Sequence, residues 1–559
     1  MKNIAKSIYI VASALTLSSV LTGCGDSFLD EKMYSSYGTD VTDVKAKIIG
    51  LHRQYAATWG WSGKQGFVGC WQDGTDVGAP GDTEGVEVPF YQYADLNSEN
   101  AGVAFYWEAL YDMIGSANNI INADGVDPVY RAEAAFFRAL SYNQLVTLWG
   151  DVPLITVTGS VPRTDYTRTS VSEIDEVIKA DLKDAIENLP AVGETESESR
   201  INKDCARMLA ADVYLRMGLN EEAEEVVTPI MTEGNYELIS ERYGKFTSEP
   251  GDYYHDMFRW GNMRRSQSNK EGIWIFQMEY ERDVVGGTID APQQRRNWVA
   301  AFHKVNGMVN CDSLGGRGNG RLRLSNYVKY KVFDEGDIRN SNYNIRRKLY
   351  YNKPDFSATI YVDDEGYRVN EGTEGAKELV VHTGDLVHIT RADTLNVLYP
   401  HTTKWGGYDD AEDFGFVLVK DWPLMRFAEA YLLRAEARIK LGKTAEAAED
   451  INVLRDRAFK EYRETSGNAD AGKVSADQMT MDFLLDERIR ELVGEENRRY
   501  TLVRTGYLPA RVKAAQEIET APANKIITGF DEKKHVLLPI PLSDIQLNKD
   551  AILTQNPGY

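Results

Sequence analysis

The sequence predicts a mainly α-helical protein: a helical body built on tetratricopeptide-type helix pairs, with long loop and small β-hairpin insertions. Three observations predict it. There is an internal repeat, there are apolar stripes at helical spacing on either side of it, and there are two stretches where that spacing breaks down. Met208, Ala211, Leu215, Gly218, Ala223 and Val227 recur at identical spacing as Leu432, Ala435, Ile439, Gly442, Ala447 and Ile451. Small residues let two antiparallel helices approach closely, Gly permits the turn, and the large apolar residues fill the groove. Residues 219–222 and 443–446 supply each turn and the acidic first turn of each second helix.

The elements follow in chain order. Lys2 and Lys6 precede an apolar run from Ile8 to Leu21. That run is shorter than the about 20 residues a spanning helix needs, so residues 1–23 read as a signal peptide. Leu21-Thr22-Gly23-Cys24 resembles a bacterial lipobox, which makes Cys24 the expected lipidation site and residues 24–42 the surface tether. Asp26, Asp30 and Glu31 resemble the surface-export signal of Bacteroidetes lipoproteins. Residues 43–559 contain no Pro/Ser/Gly linker and read as one domain, with ligand-loop insertions near 59–100 and 272–420. Phe105, Leu110, Ile114, Ala117 and Ile121 stripe one helix, Ala132, Ala135, Phe136, Ala139 and Leu140 the next, and Leu485, Ile489, Leu492 and Val493 a late one. The run 273–276 is strand-like, and 359–362 and 378–381 alternate as small hairpins do. Trp59, Trp107, Trp149 and Trp422 fall in or beside helical patterns and read as core.

Removing the leader takes away two Lys and no acid, which moves the formal charge from −22 to −24. Such a balance excludes nucleic acid as the expected partner, because phosphates need a basic footprint. It also disfavours a strongly anionic ligand, unless a local basic loop overrides the global charge. No Cys/His cluster has metal-ligand spacing, so no metal or other cofactor is expected. An acidic loop, Asp409-Asp410 through Asp413, has the residue types that calcium takes, but reads first as a solvated face. Cys205 lies in an apolar helical pattern and reads as a buried small residue; a Cys70–Cys311 pair is open on sequence alone.

Six elements in order then carry a resemblance: Ala117-Asn118-Asn119-Ile120-Ile121; Arg138-Ala139 with Tyr142 and Gly150-Asp151-Val152-Pro153-Leu154; Pro423-Leu424-Met425-Arg426 with Arg434-Ala435-Glu436-Ala437; Asn452, Arg455, Arg457 and Ala458; Glu487-Arg488 with Glu491, Glu495, Arg498 and Arg504; and Pro539-Ile540-Pro541 with Gln555-Asn556-Pro557-Gly558. Behind a lipobox, this combination resembles the SusD/RagB family of outer-membrane nutrient-binding lipoproteins. The resemblance implies a SusD-like α-helical body, lipid-anchored in the outer membrane and facing the cell exterior. It implies a non-catalytic protein that captures an oligosaccharide or polysaccharide and passes it to a SusC-type TonB-dependent transporter. A RagB-like protein of the same architecture would capture peptide instead. Arg434, Glu436, Glu487, Arg488 and Glu491 read as structural ion pairs and caps rather than an active site.

A sugar site needs exposed aromatic faces for the C–H face of the ring and planar polar groups for its hydroxyls. Two loop regions carry both. Trp298 and Tyr91 are the first candidates for platforms, then Tyr93 and Trp71; Asp76, Arg296 and Asn297 are the polar candidates. A surface glycoside hydrolase is the reading from another class, but no carboxylate pair is singled out and no GxSxG, HExxH or phosphate-binding glycine loop is present.

Overall fold

The computed structural model describes residues 43–559, except 61–63, 65, 66, 68, 84, 158–162, 286, 288–292, 410, 412–417, 523 and 524. The leader, Cys24, the tether, Asp410 and Asp413 lie outside the described residues. No described helix is long and apolar enough to cross a membrane. Helix accounts for 47% and strand for 9%, as expected of a mainly α protein.

Six helices lead, and most start on a side chain suited to the task. α1 (Val44–Ala57) begins at Asp43, whose carboxylate accepts from the Ala46 N–H. α2 (Ala101–Ile121) begins at Asn100, which accepts from Gly102 and Val103. α3 (Pro128–Trp149) begins at Asp127 with Pro in its first turn, where the missing N–H costs nothing. α4 (Val171–Asn188) carries a reciprocal cap between Ser170 and Glu173. α5 (Lys203–Met217) and α6 (Asn220–Thr232) form the first repeat pair. Each helix packs on the next, from α1 through α6. α6 then packs against α8 (Phe427–Lys440), and α8 against α9 (Thr444–Ala458), the second repeat pair.

The repeat columns are the core of this stack. Met208, Ala211, Leu215, Ala223 and Val227 are buried, as are Leu432, Ala435, Ala447 and Ile451. Gly218 and Gly442 sit at φ +79° and +75°, the left-handed turn that links the helices of each pair. Arg438 joins the two repeats through Glu224 at 2.9 Å, and Lys443 reaches the same carboxylate at 2.6 Å.

Between the repeats the chain leaves the stack and returns. Its exit and re-entry are paired: β2 (Gly272–Phe276) runs antiparallel to β9 (Trp422–Arg426). The strand-like run at 273–276 therefore closes the neck of the insertion rather than forming a local hairpin. Within it, β5 (Ser357–Val362) pairs β7 (Lys377–His382) with Thr359 opposite Val380, and β6 (Arg368–Val369) adds to the other edge. β1 (Gly78–Pro80) pairs β3 (Leu322–Leu324), and β4 (Ile345–Arg346) pairs β8 (His401–Thr402). The insertion also contains α7 (Gln294–Trp298). After α9 come α10 (Met481–Leu492), packed on α8, and α11 (Arg498–Arg504), packed on α3.

The shared motifs act as fasteners. Arg138 holds Asp181 with two bonds of 2.7 and 2.8 Å and donates to Asn118. Asn118 and Tyr142 both bond the Ile155 backbone, which pins the segment after Gly150 across α2 and α3. At the C-terminus, Gln555 pairs both backbone groups of Ile540, and Asn556 donates to the Trp149 and Leu538 carbonyls. The end of α3 is thus satisfied by residues some 400 positions away. Cys70, Cys205 and Cys311 are free thiols, so the Cys70–Cys311 pair is not formed.

Two buried amines set a pH dependence. Burial pushes Lys420 down to about 7, its ammonium donating to the Lys404 and Gly406 carbonyls. Burial likewise pushes Lys404 down to about 8, against the pull of Glu495. In the unfolded chain both titrate near about 10.4, so above pH 7 the unfolded state binds more protons and stability rises with pH. The melting temperature is expected to climb by a few degrees between pH 7 and 9, and the Lys420→Met variant to lose much of that slope.

Candidate ligand-binding site

The structure brings the two loop regions together. β1 belongs to the first and β3 to the second, and the Gln293 N–H donates to the Gly60 carbonyl at 2.8 Å. None of the seven predicted residues stands at the surface, however. Trp298 is fully buried in the main core, on the short helix α7 packed against β3. Trp71 meets Trp59 edge-on at 4.4 Å and lines a cavity of about 130 Å³. Tyr91 is buried, and its backbone and that of Tyr93 bracket Thr528. Tyr93 donates to the Gly74 carbonyl and accepts from Arg499, both at 2.8 Å. The Asp76 carboxylate is held by Arg498. Arg296 meets the Asn319 amide, and Asn297 is buried beside it in α7.

The expectation that these aromatics project from their loops is therefore corrected. Trp71, Tyr91, Tyr93 and Trp298 all join the main hydrophobic core, so these large rings anchor their loops on the helical body. The expected core tryptophans, Trp59, Trp107, Trp149 and Trp422, are buried.

An open cleft of about 670 Å³ lies on the insertion. That is within the range of small-ligand sites, whereas the cavity beside Trp71 falls below it. One wall follows β3: residues 328–332 form a wide helical turn that buries Val328 and Val332 and leaves Tyr330 71% exposed. A second wall is the chain from Arg346 to Leu349, after β4. The turn between β5 and β6 supplies Tyr367, with the Arg391 guanidinium 4.4 Å from its ring. Tyr399 lines the floor, 4% exposed, and its hydroxyl has no hydrogen-bond partner.

The cleft is basic. Six Lys or Arg and two acids line it. Both acids are engaged: Glu519 with Arg323 at 3.3 Å, and Glu365 with Arg391 at 2.9 Å. Lys329, Arg346, Arg347 and Lys348 form no ion pair with any described residue. Arg346 donates to the Ser313 carbonyl and leaves its Nε unpartnered; Arg347 donates twice to the Asn340 amide oxygen. Burial, then the Arg323 cation, pushes Lys329 down to about 8, and burial also draws Arg346 and Arg347 below the usual guanidinium range.

Tyr330, Tyr367, Tyr399 and these cations were not among the residues the sequence reading selected. A signal for them exists. Residues 317–348 hold nine Lys or Arg against three acids, with tyrosines interleaved, in a chain of net charge −22. The acidic loop expected to suit calcium is described only in part, and there Asp409 is paired with Arg282 at 2.7 Å.

Two family profiles match this chain. One, described as the SusD family, matches residues 315–559; the other, described as starch-binding and associating with the outer membrane, matches residues 27–215. The SusD-like protein P25 of Formosa agariphila is 26% identical over 547 residues, covering 93% of this chain and 92% of its own. The starch-binding protein SusD of Bacteroides thetaiotaomicron is 37% identical over 139 residues, 25% of this chain and 22% of its own. A solved structure of a laminarin binding SusD-like protein shares the fold, with a TM-score of 0.63 at 20% identity over 93% of this chain and 99% of its own.

Proposed function

We propose, on the two SusD-type family profiles that match residues 27–215 and 315–559, that this chain is a SusD-like, non-catalytic carbohydrate-binding lipoprotein of the outer membrane. Cys24 anchors it, the cleft faces outward, and captured oligosaccharide passes to a SusC-type TonB-dependent transporter. The starch-binding and laminarin binding relatives support a glycan as the ligand. The observation that carries the reading is the cleft itself: an exposed Tyr330 ring beside side chains rich in hydrogen-bond donors, in a cavity of small-ligand size. An aromatic face takes the apolar face of a sugar ring, and planar donors take its hydroxyls. A hydrolase would need two carboxylates poised across the scissile bond. Both cleft carboxylates are instead committed to ion pairs, which supports binding without turnover. The predicted residues of α7 and the β1 loop act in this reading as the scaffold beneath the cleft.

Affinity electrophoresis through gels containing plant, fungal and host polysaccharides tests this. At least one glycan is expected to retard the protein, and Tyr330→Ala to weaken that retention about tenfold, the effect of losing one stacked ring of about 1.4 kcal/mol. Retention unchanged in Tyr330→Ala would move the site off the cleft. Retention by no glycan would overturn the carbohydrate reading in favour of peptide capture.

A further inference from the structure

We infer that the cleft selects acidic oligosaccharides, the cations of its walls pairing with carboxylate or sulfate groups carried on the sugar. The inference rests on the proposed glycan reading and names its substrate class.

The chain as a whole repels anions, so a concentrated basic wall is not a by-product of composition. Most basic residues of the helical body are consumed by acids: Arg138, Arg200, Arg434, Arg498 and Arg504, for example, each hold a carboxylate within 3 Å. The cleft departs from that pattern. Its two acids are matched by two of its own arginines, and Lys329, Arg347 and Lys348 form no ion pair with any described residue. Arg347 is held by the neutral Asn340 amide oxygen, which fixes the planar guanidinium without neutralising it. A fork so placed suits the paired oxygens of a carboxylate or sulfate.

A neutral glycan would gain little from this wall, because its hydroxyls leave the cations without a counter-charge. An anionic one would gain from every cation at once, and a low-dielectric cleft focuses that attraction. Lys329 adds a pH readout. Burial, Arg323 and Arg347 favour its neutral form and Glu519 opposes them. An anion beside it restores the ammonium, so binding takes up a proton above about pH 8 and weakens as the pH rises further.

The test measures binding of the protein to immobilised polygalacturonate, dextran sulfate and neutral dextran, matched in length, at low and high salt. Either charged glycan is expected to bind at least tenfold more tightly than neutral dextran at low salt, with the advantage falling steeply as salt screens it. Which of the two binds tells whether carboxylate or sulfate is read. Lys348→Gln, an exposed change that leaves the fold intact, and Arg347→Gln are each expected to weaken charged-glycan binding several-fold with an unchanged melting temperature. Neutral dextran bound as tightly as the charged glycans, with no effect of Lys348→Gln, would overturn the inference while leaving the glycan reading standing. Binding to none of the three, together with no retention across the wider polysaccharide panel, would overturn both.

Discussion

Replacing Glu491 by Gln is expected to destabilise the protein by about 3–5 kcal/mol, enough to leave much of it unfolded at growth temperature. Glu491 is fully buried, near the end of α10. One carboxylate oxygen accepts from Arg457 at 2.6 Å and Arg426 at 3.0 Å, and the other from Arg339 at 3.1 Å. Its backbone carbonyl accepts from Lys404 and Tyr254. Burial alone would raise its pKa, but Arg457, Arg426, Arg339 and Lys404 hold it well below the usual carboxylate range. These partners come from α9, from the end of β9 and from two separate stretches of the insertion, so one carboxylate joins the repeat stack to the neck and the insertion. An amide keeps the shape and loses the charge; Arg426 and Arg457 keep Glu271, and Arg339 keeps Asp337 and Glu487, but the buried cluster is left one negative charge short. The cost of that imbalance in a buried site, not the worth of one pair, sets the magnitude. Because the folded pKa is depressed, this contribution is full above about pH 4.3, the unfolded value, and fades as the pH falls through the folded one. Denaturant unfolding measures it. The exposed Lys183–Glu187 pair is the control, and Lys183→Ala there is expected to change stability by no more than about 0.5 kcal/mol. A Glu491→Gln midpoint within the error of the parent would refute the assignment.

The same network shows what a sequence displays and what it hides. Glu487, Arg488 and Glu491 were readable as structural charges because helices crowded with opposite charges pair more often than they catalyse. That Arg339 and Lys404 complete the set was not readable, because pairing across some 90 to 150 residues leaves no local pattern. The repeat pairs were legible for the opposite reason: the spacing of Ala211, Leu215 and Gly218 is itself the packing geometry, printed twice. The β2–β9 neck shows the middle case. Its first strand carries a local signal in 273–276, but its partner lies beyond the whole insertion.

The candidate site divides along the same line. Sequence reading looked to two long insertions, since insertions on a rigid helical stack are where sites form; the cleft is lined by residues of the second and of the stretch 519–522, and by none of the first. The aromatics it selected are buried, because an aromatic in a loop looks the same whether it faces solvent or reaches into the core. Trp298 is fully buried whereas Tyr330 is 71% exposed, and nothing in their immediate neighbours separates them. Charge would have done so. Arg295 and Arg296 flank the buried ring, but the denser run of basic residues surrounds Tyr330.

Asp76→Ala is the second large effect, and it decides between two roles for a residue first selected as a ligand. The structure places its carboxylate against Arg498 with two parallel bonds, 2.8 Å to Nε and 2.6 Å to Nη2, and neither side chain has any exposed surface. Arg511 lies 3.8 Å away, and the Asp76 carbonyl accepts from Ser325, just beyond β3. This pair fastens the loop before β1 to α11, and so the first ligand loop to the helical body. Removing the carboxylate leaves Arg498 buried with Glu496 at 2.9 Å and the Leu485 carbonyl at 3.1 Å, and strips its Nε of a partner. Breaking a buried ion pair by removing one partner costs up to about 3–5 kcal/mol, and the Glu496 that Arg498 keeps places this change toward the lower end. The loss is expected as a lower unfolding midpoint with an unchanged denaturant slope, since the same surface is exposed when the chain unfolds. Glycan affinity, measured well below the midpoint where the variant is folded, is expected to stay within about twofold of the parent, a change of roughly 0.4 kcal/mol. The opposite pattern, an unchanged midpoint with binding lost, would return Asp76 to the ligand set and require the loop to open when the sugar enters.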